Sequence, residues 1–175
     1  MMIRGNRFNI YLLLAVAVAM CGGCETEKSR RKKTTSTLEV HVEAHPERTG
    51  HTATVQVLRD HPISINVEKS PILTEAWVKE AKVVDVMDGF ALRIEFDDHG
   101  TLVLEACTAE NRGRRFAVMA QFGESLKETR WLAAPRITHR ISDGVLMFTP
   151  DTTREEAEQI ALGLNNVAKK VQSSD

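Results

Sequence analysis

The chain has 175 residues, of which 27% are charged and 42% are hydrophobic, a mixture typical of a globular protein and not of a disordered or fibrous one. Lysine and arginine together number 23, against 24 aspartates and glutamates, so the formal net charge is only -1. This balance argues against nucleic acid as a partner, because nucleic-acid-binding domains usually present a basic face.

The amino-terminal segment has the pattern of an export signal. Two arginines precede the apolar run Ile10–Met20, which is shorter than the roughly 20 residues that span a bilayer. The run is followed by Gly22, Gly23 and Cys24, and small residues directly before a cysteine resemble the lipobox of bacterial lipoproteins. We therefore predict a lipoprotein signal peptide over residues 1–23.

Cys24 would then be the first residue of the mature chain and would carry the lipid. We expect this lipid to hold the protein at a membrane, on the extracytoplasmic or periplasmic side. An ordinary secretory signal cut nearby and an uncleaved anchor are the alternatives, and both also place the domain outside the cytoplasm.

Residues 24–37 are predicted to form a basic, polar linker. The stretch Glu25–Thr37 contains no apolar residue, so it offers nothing to a core. The basic cluster within it, Lys28–Lys33, would lie within reach of the membrane if Cys24 is lipidated. It is interpreted either as a solvated tether or as a contact with anionic lipid headgroups.

Three alternating strands are expected at the start of the domain, over Leu38–Ala44, Ala53–Val57 and Ile63–Val67. On the first strand, His41 and His45 fall on the polar face. They lie on the order of 13 Å apart on an extended strand, which is too far for one metal ion, so we predict solvated histidines and no metal.

The next segment predicts a hairpin and then a helix. Asp88 and Gly89 lie between two apolar runs, which is a strong signal for a tight turn. Asp97 and Asp98 follow the second run. Beside His99 they could form an acid–base or metal cluster, but their place directly before a helix favours helix capping.

The centre of the chain is interpreted as a helix that ends at Gly113, followed by the strand Phe116–Phe122, whose apolar residues alternate. We expect the helix and the strand to pack on each other. Cys107, which has no partner for a disulfide within the mature chain, is predicted to be a small buried hydrophobe and not a nucleophile. The apolar face of the helix is assigned to Leu102, Val103, Ala106, Cys107 and Ala109.

Two further strands, at Thr129–Ala133 and Val145–Phe148, and a closing helix complete the domain. Thr153 and Glu156 have the spacing of a capping box at the start of this helix. The order of elements predicts a single α+β domain over residues 38–172, with a largely antiparallel sheet and two main helices packed on one face.

An ordered set of motif positions lies between residue 73 and about residue 165: Leu73, Thr74, Ala81, Phe96, Gly100, Thr108, Gly113, Ala117, Ala134, Pro135, Ile137, Gly144, Thr153, Glu155, Glu156 and Ala157. Over this range the sequence resembles the periplasmic head subdomain of SecD and SecDF, membrane proteins that assist protein export. The transmembrane bundle of those proteins has no counterpart here, and the closing strand has Met147 and Phe148 where the family usually has glycine. The resemblance implies the head fold and engagement of an emerging polypeptide or of translocon components.

These observations favour a non-enzymatic, membrane-tethered binding module, accessory to protein export. Exposed basic and aromatic groups would form its partner surface, and the candidates are Arg130, Trp131, Arg136 and Arg140, although a buried tryptophan on a solvated charged strand is the alternative. A small envelope hydrolase and a purely structural envelope lipoprotein are the other hypotheses. The chain has no G-x-S-x-G, H-E-x-x-H, paired-cysteine or phosphate-loop motif, so no catalytic residue, metal or cofactor is assigned.

Overall fold

The computed structural model of the chain describes residues 27–45 and 50–173. The predicted signal peptide and its lipidation site, Cys24, lie outside the described residues. The chain divides after residue 32 into two units. Helix α1 (Glu27–Lys33) begins in the first unit and occupies part of the segment that was predicted to be a linker.

The second unit contains nine strands and two long helices among its described residues. Single 3-10 turns at Glu75–Trp77 and Glu124–Leu126 join some of them. In chain order the elements are β1 Thr37–Val42, β2 Thr52–Val57, β3 Ile63–Glu68, β4 Leu73–Thr74, β5 Val78–Val86, β6 Gly89–Phe96, α2 Asp98–Glu110, β7 Phe116–Phe122, β8 Glu128–Ala133, β9 Val145–Phe148 and α3 Arg154–Gln172.

The strands form three hydrogen-bonded groups. A four-stranded sheet has the order β4-β1-β7-β8, a three-stranded sheet has the order β5-β6-β9, and β2 pairs with β3. All the strand pairs are antiparallel. The α+β class and the antiparallel pairing are therefore confirmed, with the expected sheet divided in three.

Helix α3 packs across β5, β1 and β7, and α2 packs against β4 and β6, so the predicted helix–strand unit of α2 and β7 is not the main packing pair. The side chain of Thr153 accepts a hydrogen bond from the backbone N–H of Glu156, and the Glu156 carboxylate accepts one from the backbone N–H of Thr153, which confirms the capping box. Asp97 caps α2 through a 2.7 Å bond from the backbone N–H of Gly100.

The buried stripe of α2 differs from the predicted one. Gly100, Leu104 and Thr108 are buried at four-residue intervals, whereas Leu102 is 65% exposed. Ala106 and Ala109 are exposed as well. The sequence offers apolar residues all around this helix, so its periodicity alone does not select the face that meets the sheet.

The hairpin β2–β3 does not extend the main sheet, but covers its second face. Ala117 points away from its neighbours in β7 and packs in a separate apolar cluster with Val57, Ile65 and Val67 of the hairpin. The same cover leaves His41 only 4% exposed. The prediction of a solvated His41 is therefore wrong, because the β2–β3 hairpin shields the polar face of β1.

The segment before β1 also belongs to the domain. Ser36 is fully buried against α3, where a Cβ atom on Gly163 would lie 2.2 Å from the Ser36 hydroxyl oxygen. The side chain of Asn166 donates a 2.9 Å hydrogen bond to the carbonyl oxygen of Thr34. The polar composition of this segment predicted a linker. It packs on the domain instead, because Gly163 has no side chain and lets the backbone of the segment approach α3 closely.

Candidate functional site

A groove of about 630 Å³ lies beside β9 and is the larger of two hollows that contain predicted surface residues. One wall is β9 itself, and the other is the irregular segment 135–143 between β8 and β9. Phe116, Ile137 and Leu146 contribute apolar surface, while Arg93, Arg136 and Arg140 contribute charge.

Hydrogen bonds fix segment 135–143 along α2 and the start of β7. The backbone N–H of Gly113 donates to the carbonyl oxygen of Ile137 over 2.8 Å, and that of Phe116 donates to Pro135 over 2.9 Å. Further along, the backbone N–H of Ile141 donates to the hydroxyl of Thr108 over 3.0 Å. Most of this wall of the groove is therefore tied to α2 and to the start of β7.

Gly144 joins this wall to β9. Its φ of 69° lies in the left-handed region, and a Cβ atom there would come within 2.1 Å of the Thr101 hydroxyl oxygen on α2. Only glycine meets both conditions without displacing its neighbours. This family position therefore fixes how closely β9 approaches α2.

The charges in the groove are predominantly positive. Three arginines line it against a single aspartate, Asp143. Arg93 is paired with Glu95 over 3.2 Å, and Arg140 with Glu105. Arg136 instead donates a 3.0 Å hydrogen bond to the carbonyl oxygen of Gly113.

A second hollow of about 620 Å³ lies between the β2–β3 loop and β8. It contains the other two predicted surface residues, Arg130 and Trp131. As neighbours on a strand, these two side chains point to opposite faces of the sheet. The four residues proposed as one surface are thus divided between two hollows.

The Arg130 side chain is engaged in contacts within the protein. Its guanidinium donates to both carboxylate oxygens of Glu156, over 2.8 and 3.1 Å, and lies 5.1 Å from the ring centroid of Phe122. The hydrogen bond from Arg130 lowers the pKa of Glu156. Only 16% of the Arg130 side chain is exposed, so little of it is available to a partner.

One contact near the second hollow could not be predicted from the sequence. Arg59 follows Leu58, which has a φ of 70°, and binds Asp151 through its backbone N–H at 2.8 Å and its Nε at 3.2 Å. The two residues are 92 positions apart in the chain. No local motif predicts a pairing over such a separation.

Cys107 lies on the half-buried side of α2. Burial raises the pKa of its thiol to about 11, which disfavours the thiolate that a nucleophile requires. Within residues 27–45 and 50–173, no three histidine, cysteine, aspartate or glutamate side chains lie close enough together to hold a metal ion.

Helices that could cross a membrane are absent from the described part of the chain.

Several other matched positions are buried or lie just after a helix or a strand. Gly100, Ala117, Ile137 and Ala157 are buried, and Gly113 has a φ of 87° just after α2. Ala134 and Pro135 are half-buried directly after β8.

A family model described as the SecDF P1 head subdomain matches residues 52–168. The chain belongs to this SecDF family. The matched residues include the β2–β3 hairpin, so the family match begins earlier than residue 73, where the resemblance in the sequence was placed. A comparison with curated protein sequences found no match.

Solved SecDF structures share the head fold. One, described as a membrane component that enhances protein export, aligns with 83% of this chain and 70% of its own, at 20% identity and a TM-score of 0.55. A crystal structure of SecDF in a super-membrane-facing form aligns with 81% of this chain at 20% identity and a TM-score of 0.55. The chain spans 21% of that second protein.

Proposed function

We propose that the protein is an extracytoplasmic binding module of protein export, held at a membrane by lipid on Cys24, and that it engages polypeptides without catalysis. Membership of the SecDF P1 head family carries this proposal, because solved relatives of this fold belong to a component that enhances protein export.

The strand arrangement supports a role in polypeptide binding. β8 and β9 each lie at the edge of a sheet, and each borders one of the two hollows. An edge strand presents backbone donors and acceptors that an extended chain can pair with. A module that binds varied polypeptides benefits from such backbone contacts, because they do not depend on sequence.

The chemistry of Cys107 supports a non-enzymatic role. Its thiol has a raised pKa and is hydrogen-bonded by the side-chain amide of Asn111 at 3.6 Å. Arg130 and Glu156, which are charged residues near the second hollow, bind each other.

Photo-crosslinking in cells tests this function. A photoreactive amino acid is placed singly at Met87, Leu102 or Met147, three exposed positions in different parts of the domain. We expect adducts with exported polypeptides or translocon components, and buried Leu104 serves as the negative control position. An intact, membrane-associated protein that gives no such adduct at any exposed position would contradict the proposal.

A further inference from the structure

The free edge of β9 presents specific backbone groups. The N–H of Phe96 donates to the carbonyl oxygen of Gly144 over 3.0 Å, and the register pairs Ile94 with Leu146. Because hydrogen-bonded pairs alternate in an antiparallel ladder, Gly144 and Leu146 bond towards β6, while Val145 and Met147 direct their backbone groups to the free edge.

Of these outward backbone groups, the N–H of Val145 already has a hydrogen-bond partner, and the groups of Met147 face the groove. The N–H of Val145 donates to the Asp143 carboxylate over 3.1 Å. The N–H and the carbonyl of Met147 have no backbone partner among the residues described. They form the donor–acceptor pair that one residue of an added strand would need.

The side chains beside this edge determine which residue types an added strand would need. Met147 is 55% exposed and lies opposite Arg93 on the outer face of the sheet. Leu146 is buried on the other face, near Ile137 and Ile141 of the facing wall. An added strand would therefore place alternate residues against apolar and charged surface.

Arg136 supplies the charge preference. In the described part of the chain its guanidinium has the carbonyl oxygen of Gly113 as partner, and no carboxylate lies within ion-pair distance. Arg93 and Arg140 already contact Glu95 and Glu105. An acidic group entering the groove would thus gain a charge-assisted hydrogen bond with Arg136 without breaking an existing ion pair.

We propose that the β9 groove binds an extended peptide segment as an added strand, with the backbone of Met147 fixing the segment and Arg136 selecting an acidic side chain on it. This inference rests on the proposed function, and adds to it the site, the binding mode and the charge of the partner.

The test uses the purified full chain in mild detergent and fluorescent peptides of about eight residues, a length that suits one strand. The peptides alternate threonine and valine around a central glutamate or, as the matched control, a central glutamine. Fluorescence anisotropy measures the Kd. We expect the glutamate peptide to bind more tightly than the glutamine peptide by about tenfold.

Two pairs of variants separate backbone pairing from charge. Met147→Pro removes the outward N–H and is expected to weaken binding about tenfold, whereas Met147→Ala retains it. Arg136→Gln is expected to abolish the preference for glutamate. Lys127→Gln, which removes an exposed charge from the turn before β8, leaves the preference unchanged.

Circular dichroism shows whether Met147→Pro folds. If it does not, the unmodified protein is tested instead with peptides that are N-methylated along one edge, because methylation removes the N–H groups that would pair with β9. Methylation of the amides on one edge should abolish binding, and methylation of those on the other edge should not. Three results would overturn the proposal. They are equal affinity of the two methylated peptides, equal affinity of Met147→Pro and Met147→Ala for the peptide, and equal affinity of the protein for the glutamate and glutamine peptides.

Failure of this proposal and failure of the proposed function are distinguishable. Crosslinks to exported polypeptides in cells without groove binding by the peptides would overturn only the β9 site. Groove binding in solution without crosslinks in cells would support the β9 site and contradict the role in export.

Discussion

The imidazole of His41 lies edge-on to the indole of Trp131, with ring centroids 5.3 Å apart and ring planes inclined by 60°. The two residues belong to β1 and β8, which flank β7 in the sheet. The Nδ1 atom of His41 also lies 2.8 Å from the carbonyl oxygen of Glu68 on β3. His41 therefore connects the four-stranded sheet to the hairpin that covers it.

His41→Ala is expected to lower the free energy of unfolding by about 2 kcal/mol, because it leaves the Glu68 carbonyl without its partner and removes the ring contact. Urea denaturation measures the loss, and hydrogen exchange should accelerate at Val57 and Val67 in the hairpin. The exposed residue His139 provides the matched control. A stability loss equal to that of His139→Ala would contradict this role for His41.

Gly163→Ala is expected to destabilise the protein, although the same change within a helix usually stabilises it by about 1 kcal/mol. The added Cβ atom would lie 2.6 Å from the backbone nitrogen of Ser36, which cannot move as a flexible side chain can. Thermal denaturation gives the sign of the effect. Glu158→Ala, at an exposed position on the same helix, is the control, and a raised Tm for Gly163→Ala would refute the close approach.

Acid should weaken the contact between Arg130 and Glu156. The pKa of Glu156 is lowered in the folded protein, first by its hydrogen bond with Arg130. Its contribution to stability is therefore complete above the unfolded-state pKa of about 4.3 and is lost as the pH falls through the lower folded-state pKa.

Glu156→Gln keeps the capping box but removes the charge, so it should cost about 1 kcal/mol at pH 7 and progressively less in acid. Urea titrations between neutral and acidic pH measure this difference. The same change at exposed Glu158 should have little effect at any pH. A cost for Glu156→Gln that does not change with pH would rule out the ion pair as its source.

Cys24→Ser is expected to abolish labelling by a fatty-acid probe and to release the protein from membranes, because the lipid would be its main attachment. Fractionation with and without high salt separates lipid anchoring from attraction of the basic cluster to headgroups. Cys107→Ser, which changes a half-buried thiol, should leave labelling intact. Undiminished membrane retention of Cys24→Ser in high salt would argue against the lipoprotein assignment.

Local patterns in the sequence predicted several elements because their causes lie within a few residues. The turn at Asp88 and Gly89, the capping box at Thr153 and the alternation along β7 are examples of such local causes. The burial of His41 was missed because alternation shows which residues share a face, but not what covers that face. The contact of Ser36 with Gly163 was missed for a similar reason, since it depends on two segments far apart in the chain.

The candidate site shows the same limit. Arg136 and Arg140 do share a groove, but Arg130 and Trp131 border a different hollow, beside β8. The groove exists because segment 135–143 follows α2 instead of pairing with β9. No residue pattern within that segment specifies this path.

The two walls of the groove are attached to different parts of the protein. The hydrogen bond from the Ile141 N–H to the Thr108 hydroxyl ties one wall to α2, while β9 is hydrogen-bonded to β6. A small rotation of α2 against the three-stranded sheet would therefore change the width of the groove without breaking a strand pairing. Substitutions at the contact between α2 and β6 are therefore expected to alter the affinity of the proposed β9 site for a peptide without touching the peptide.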